Sequence, residues 1–141
     1  MREINEITGE IVDAAYQLHS HFGPGLMESA YRLALAADLA SRGLRVEQEK
    51  SVSFKYNGIP IENAFRVDLL VEGRVIAELK SVEKLAPVHA KQVLTYLNLL
   101  DLPVGLLINF GSVRLKDGMQ RIINDRASGA HQSIVPGRKG P

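Results

Sequence analysis

The order of hydrophobic periods along this 141-residue chain predicts an α/β sandwich with a mixed central sheet. Three observations carry that expectation. Apolar residues first recur at helical spacing, the period then shortens toward two through three consecutive segments, and a further helical stretch precedes a continuous apolar run. Helices, three strands, helix, strand, strand is an order in which the strand after the helix can return parallel to the strand before it through a right-handed crossover.

In the first segment Ile4, Ile7, Ile11, Ala14, Ala15 and Leu18 lie on one helical stripe, and Phe22-Gly23-Pro24-Gly25 ends it. A second helix is predicted over residues 26–42, which are rich in Leu and Ala, with Gly43 as its left-handed cap. Residues 45–56 alternate in part through Val46, Val52, Phe54 and Tyr56, Asn57-Gly58 is a hairpin turn, and residues 65–71 and 74–80 read as two more strands. The third helix is predicted over 87–100, with Pro87 in its first turn and Ala90, Val93, Leu94, Leu97 and Leu100 as its buried stripe. Residues 104–110 form an apolar run of the kind buried on both faces, and 113–116 are predicted to pair beside it.

Composition limits the chemistry. With 45% apolar residues the chain can bury a real core, and one domain is expected over residues 1–124. Residues 125–141, rich in Gly, Pro and Ser, are expected to form a flexible basic tail. The chain has no cysteine, which excludes disulfides, zinc-thiolate sites and cysteine nucleophiles, so any metal must be held by oxygen or imidazole. No apolar run is long enough to span a membrane and the N-terminal residues lack a secretory layout, so a cytoplasmic location is expected. The net charge of +1 hides an asymmetry: from residue 112 onward six Lys/Arg face two acids, whereas Arg2 faces Glu3, Glu6, Glu10 and Asp13 near the start.

Chemistry concentrates on the third predicted strand. Residues two apart share a face, so Glu78 and Lys80 emerge together while Val75, Ala77 and Leu79 face the other way. A two-residue turn at Glu72-Gly73 would set Val67 opposite Glu78 and mix apolar with charged side chains. A three-residue loop instead pairs Val71 with Val75, Leu69 with Ala77 and Val67 with Leu79 on one face. The other face then pairs Asp68 with Glu78 and Arg66 with Lys80. Two carboxylates facing each other repel unless a cation lies between them. A hard cation such as Mg²⁺ takes one or two carboxylates, keeps several waters and leaves room for a substrate phosphate, while an ammonium group supports the attacking water. A solvated hairpin with an incidental Asp/Glu/Lys cluster would show the same spacing.

Asp68, a nine-residue gap and Glu78-Leu79-Lys80 resemble the PD-(D/E)xK nuclease signature, with Val67 in place of the usual proline. Gly25-Leu26-Met27-Glu28-Ser29-Ala30-Tyr31 matches the pattern of the GxxExxY family, a prokaryotic branch of that superfamily. Gln92-Val93-Leu94-Thr95-Tyr96 is similar to the QxxxY element of its exonuclease-type members. The resemblance implies a restriction-endonuclease-like α-β-β-β-α-β core with a mixed sheet flanked by helices. It implies a nuclease using Mg²⁺, with Mn²⁺ as a substitute, in which Asp68, Glu78 and Glu28 bind the metal and Lys80 assists attack. Gln92, Tyr96 and Tyr31 would support that site. On their own, Glu28 fits a favourable interaction with its helix dipole, Tyr31 fits a core aromatic, and Gln92 and Tyr96 fit a buried amide and phenol. His89 is the one histidine placed to touch a phosphate.

The implied partner is DNA or RNA, with a homodimer or a partner protein supplying specificity. The competing expectation is a nucleic-acid-binding or protein-interaction module that keeps the fold without efficient turnover. No aromatic-rich basic stretch of the kind that stacks single-stranded bases occurs along the chain.

Overall fold

The computed structural model describes residues 2–127, so the expected basic tail lies, from residue 128 onward, outside the described residues. Helix α1 (Ile4–Phe22) and helix α2 (Glu28–Ser41) precede a hairpin of β1 (Val46–Tyr56) and β2 (Ile59–Val71), then β3 (Val75–Lys80), α3 (Pro87–Leu100) and β4 (Val104–Asn109). A 3-10 turn at Leu115–Gly118 leads into β5 (Met119–Ile123). The five strands form one sheet in sequence order, with β3 and β4 parallel and every other neighbouring pair antiparallel. The parallel pair is joined through α3, because parallel neighbours need a long crossover. Among the described residues no helix is long and apolar enough to cross a membrane.

The two faces of the sheet carry separate cores. Ile7, Ile11 and Ala15 of α1 and Tyr31, Leu35 and Leu39 of α2 pack on Leu69, Val71, Val75, Ala77 and Leu79. On the other face Val93 and Leu97 of α3 pack on Val67, Leu70, Ile76 and Leu107. Burial of each large apolar side chain contributes about 1.5–3 kcal/mol, so these stripes hold the helices in place. Gly105 allows the α3 contact, since a Cβ there would lie 2.8 Å from Val93 Cγ1. Helix α1 ends where Gly23 takes the left-handed region at φ 69°, and Arg42 beyond α2 binds Glu10 at 2.8 Å and Asp13 at 2.9 Å, tying the two helices together.

Three expectations about elements change. The second helix starts at Glu28 rather than at residue 26, because Met27 is extended and acts as the cap. Strand β2 starts at Ile59, directly after Asn57 (φ 50°) and Gly58 (φ 78°), so the hairpin closes through two left-handed residues and zips earlier than the apolar pattern suggested. The final strand is not at 113–116: Leu115 turns inward to the core, the chain makes its 3-10 turn, and β5 pairs with β4 from Ile108↔Met119 to Val104↔Ile123.

Candidate active site

The β2–β3 connection uses three residues, Glu72 to Arg74, so that Val71 pairs with Val75, Leu70 with Ile76 and Leu69 with Ala77. Glu72 (φ 55°) and Gly73 (φ 63°) make the reversal. That is the register required to bring Asp68 toward Glu78. At that step, however, side chains replace the backbone ladder. The Asp68 amide donates to Glu78 Oε1 at 2.9 Å, and the Leu79 amide donates to Asp68 Oδ2 at 2.8 Å. Each carboxylate thus anchors on the other strand's backbone, and the strands part around the pair.

This separation overturns one detail of the expected face pattern. Val67 was expected beside Leu79, yet it packs in the α3-side core while Leu69, Val71 and Leu79 belong to the α1/α2 side. Residues 67 and 69 would share a face in a regular strand, so the alternation slips at Asp68. The neighbouring strand is irregular at the same level. Gln48 pairs with Leu69 and Lys50 with Val67, and the residue between them, Glu49, takes φ 48°.

The electrostatics follow from that wedge. Glu78 is only 7% exposed. Burial first, and then the charge of Asp68, push its carboxyl up to about 8; the Asp68 amide bond and the Lys80 ammonium pull it partly back. Glu28, exposed at the start of α2, is also raised, by partial burial and then by Asp68, against the lowering pull of Lys80 and Arg32. The charges of Asp68 and Lys80 therefore act on both Glu78 and Glu28.

Two carboxylates converge and the third stands apart. Among the described residues no three His, Asp or Glu side chains lie close enough to hold an ion together, so Glu28 is not part of a preformed triad. The converging pair still fits a hard divalent cation. It offers oxygen donors only, each carboxylate is oriented by a backbone amide, and the excess negative charge that raises Glu78 is what a cation would relieve.

The remaining candidates separate into those near the pair and those that build its surroundings. Tyr96 is half-buried, stacked on Phe65 with ring centres 4.2 Å apart. Its phenol is raised by burial first and then by the charges of Glu78 and Asp68. Gln92, one turn before Tyr96, is exposed, while its neighbour Val93 is buried in the core. Tyr31 is fully buried and stacked on Phe110 at 4.4 Å. Its hydroxyl donates to the Gly23 carbonyl and accepts from the Leu26 amide at 3.2 Å, so it shapes the turn that presents Glu28. His89 accepts from the Ala86 amide at 3.0 Å and so caps α3, while His19 contacts the Ser112 carbonyl.

Asn109 escaped the sequence reading. It is 1% exposed at the end of β4, where it pairs with Lys80. Its side-chain oxygen accepts from the Val82 and Gly111 amides, and its nitrogen donates to the Val82 carbonyl and Ser112 Oγ. Ser81 Oγ donates to the Leu26 carbonyl at 2.8 Å, which ties the same loop to the start of α2. Asn109 and Ser81 hold the loop that follows Lys80. The signal that marks Asn109 is a lone amide inside an otherwise apolar run.

Residues 5–122 match the family model for the PD-(D/E)XK nuclease superfamily. No curated protein gives a significant match to the chain.

Proposed function

The chain belongs to the PD-(D/E)XK nuclease superfamily, and on that premise we propose that it hydrolyses phosphodiester bonds of DNA or RNA using a divalent cation, as a member of the GxxExxY branch. The observation that carries this reading is the wedge of Asp68 and Glu78 between parting strands, with the Lys80 ammonium in their field. Folding alone gives no reason to set a second carboxylate against the buried Glu78 at that point. Asp68 and Glu78 would hold Mg²⁺, or Mn²⁺ in its place, with Glu28 supporting them from the start of α2. Bound there, the cation supplies Lewis acidity, lowering the pKa of water and offsetting charge on the phosphoryl oxygens.

The protein's own groups do the rest. Lys80 hydrogen-bonds the attacking water and stabilises charge on the phosphoryl group as the water oxygen bonds to phosphorus and the bond to the leaving oxygen breaks. Tyr96 donates toward the phosphate from the α3 side, and Gln92, at the solvent edge of that helix, contacts the strand as it enters. Tyr31 acts through Glu28, by fixing the turn before α2. Residues 1–124 would form the catalytic domain, and the C-terminal basic residues would add phosphate contacts. Specificity would come from a second copy or a partner protein.

The test is incubation of the full chain with a panel of single- and double-stranded DNA and RNA, with Mg²⁺, with Mn²⁺ and with chelator, beside Asp68→Asn. Cation-dependent cleavage that the variant loses is the expected result. If no substrate is cut under any condition while nucleic-acid binding is equal in both proteins, the chain is a binding module on a nuclease fold.

A further inference from the structure

Three of the chain's eight Phe and Tyr residues meet at one groove beside the candidate site, although they come from three different elements. Phe54 of β1, Phe65 of β2 and Tyr96 of α3 line it, with Val88 and Leu99 of α3 completing an apolar wall and Lys91 on its rim. Its volume is about 480 Å³, within the roughly 300–1,000 Å³ common to small-ligand sites. Val88 and Leu99 are 52% and 41% exposed, a large apolar area to leave facing water on one helix.

We propose that this groove receives an unpaired nucleobase of the strand being cut, so that single-stranded nucleic acid is the substrate class. The inference rests on the nuclease reading above. Three features choose this occupant. The groove adjoins the candidate site, because Phe65, which lines it and stacks on Tyr96, lies on β2 three residues before Asp68. Its charge suits a polyanion: Lys91 is a cation and no carboxylate lines the groove. Its aromatic walls suit a flat ring, since bases stack on aromatic side chains whatever their identity, and a base must leave the duplex before it can offer its face in this way. The parallel Phe65 and Tyr96 rings, 4° apart, already form a stacked platform, and the Gln92 amide in the same lining can bond the edge of a base.

Binding is measured by fluorescence anisotropy of the full chain in chelator, so that nothing is cut. The probes are labelled DNA and RNA single strands and the matching duplex. Single strands should bind more tightly than duplex. Phe54→Ala should weaken single-strand binding roughly 5- to 150-fold, Phe54→Tyr should restore it, and Lys91→Ala should weaken it with a shallower salt dependence. Circular dichroism and thermal melting establish that each variant is folded, and Phe54→Leu, which keeps apolar volume without a ring, serves if the Ala variant is not. Equal single-strand affinity in wild type and a folded Phe54→Ala or Phe54→Leu overturns the proposal. So does a preference for duplex, or self-association that Phe54→Ala abolishes. Cleavage assays on the same proteins separate the two readings. Ring-dependent binding without any turnover would sink the nuclease reading and leave the groove standing; duplex cleavage with ring-independent binding would do the reverse.

Discussion

In the absence of a divalent cation, Glu78 should make the protein less stable as pH rises, and Glu78→Gln should remove that loss. Burial and the Asp68 charge raise its carboxyl in the folded state from 4.5 to about 8. Below pH 4.5 both the folded and the unfolded chain carry the proton. Between the two values the folded state keeps a proton that the unfolded state releases, so stability falls as pH rises through this window and levels off above about 8. At about 1.4 kcal/mol per pH unit, moving from pH 5.5 to pH 7.5 costs on the order of 2–3 kcal/mol. The amide of Glu78→Gln still accepts from the Asp68 amide but carries no charge to bury. Wild type and variant should therefore match near pH 5, and the variant should be the more stable by a few kcal/mol at pH 7.5. Urea denaturation followed by circular dichroism, in chelator from pH 5 to 8, reads the difference between the two proteins, in which unrelated titrations cancel. Saturating Mg²⁺ should restore wild type at pH 7.5 and do nothing for Glu78→Gln. A difference that stays flat across this range, or a variant that is weaker at neutral pH, would refute the electrostatic account of the wedge.

Asp68→Asn keeps an oxygen to accept from Leu79, so it should fold with equal or slightly higher stability while cation-dependent cleavage falls at least about 10- to 100-fold; melting and rate assays on one preparation check both. Asn109→Ala leaves the Val82 and Gly111 amides without their acceptor, at about 1–3 kcal/mol for each buried group left unpaired. Calorimetry should show the loss, and proteolysis should find the loop after Lys80 more accessible. Gly111→Ala should be at least as damaging, because its Cβ would lie 2.2 Å from the Val82 carbonyl oxygen; a melting temperature equal to wild type would contradict the packing described. Tyr31→Phe keeps the ring stack on Phe110 and loses the bonds to Gly23 and Leu26, so stability should drop by about 1 kcal/mol. If Tyr31 acts through Glu28, the KM for nucleic acid and kcat should shift in the Tyr31→Phe variant by less than in Glu28→Gln.

By itself the sequence determined the layer order, because helical and alternating periods are local properties that survive without knowledge of any partner. It also determined the β2–β3 register, since only one alignment of Val67 to Val71 against Val75 to Leu79 keeps charge away from the apolar face, and the observed pairs Leu69↔Ala77 and Val71↔Val75 follow it. The candidate trio Asp68, Glu78 and Lys80 was legible for the same reason. Tertiary structure decided what depends on contacts between distant residues. The strands part at Asp68 because its carboxylate and that of Glu78 take over each other's backbone bonds, an exchange no periodicity encodes. Gln92 is exposed while Tyr96, four residues later, meets Phe65, a contact between distant segments that no helical period reports. Asn109 became visible as a support only when β4 brought it beside Lys80. The aromatic groove appeared along no stretch of the chain, since Phe54, Phe65 and Tyr96 become neighbours only after β1 folds back on β2 and α3 packs against the sheet.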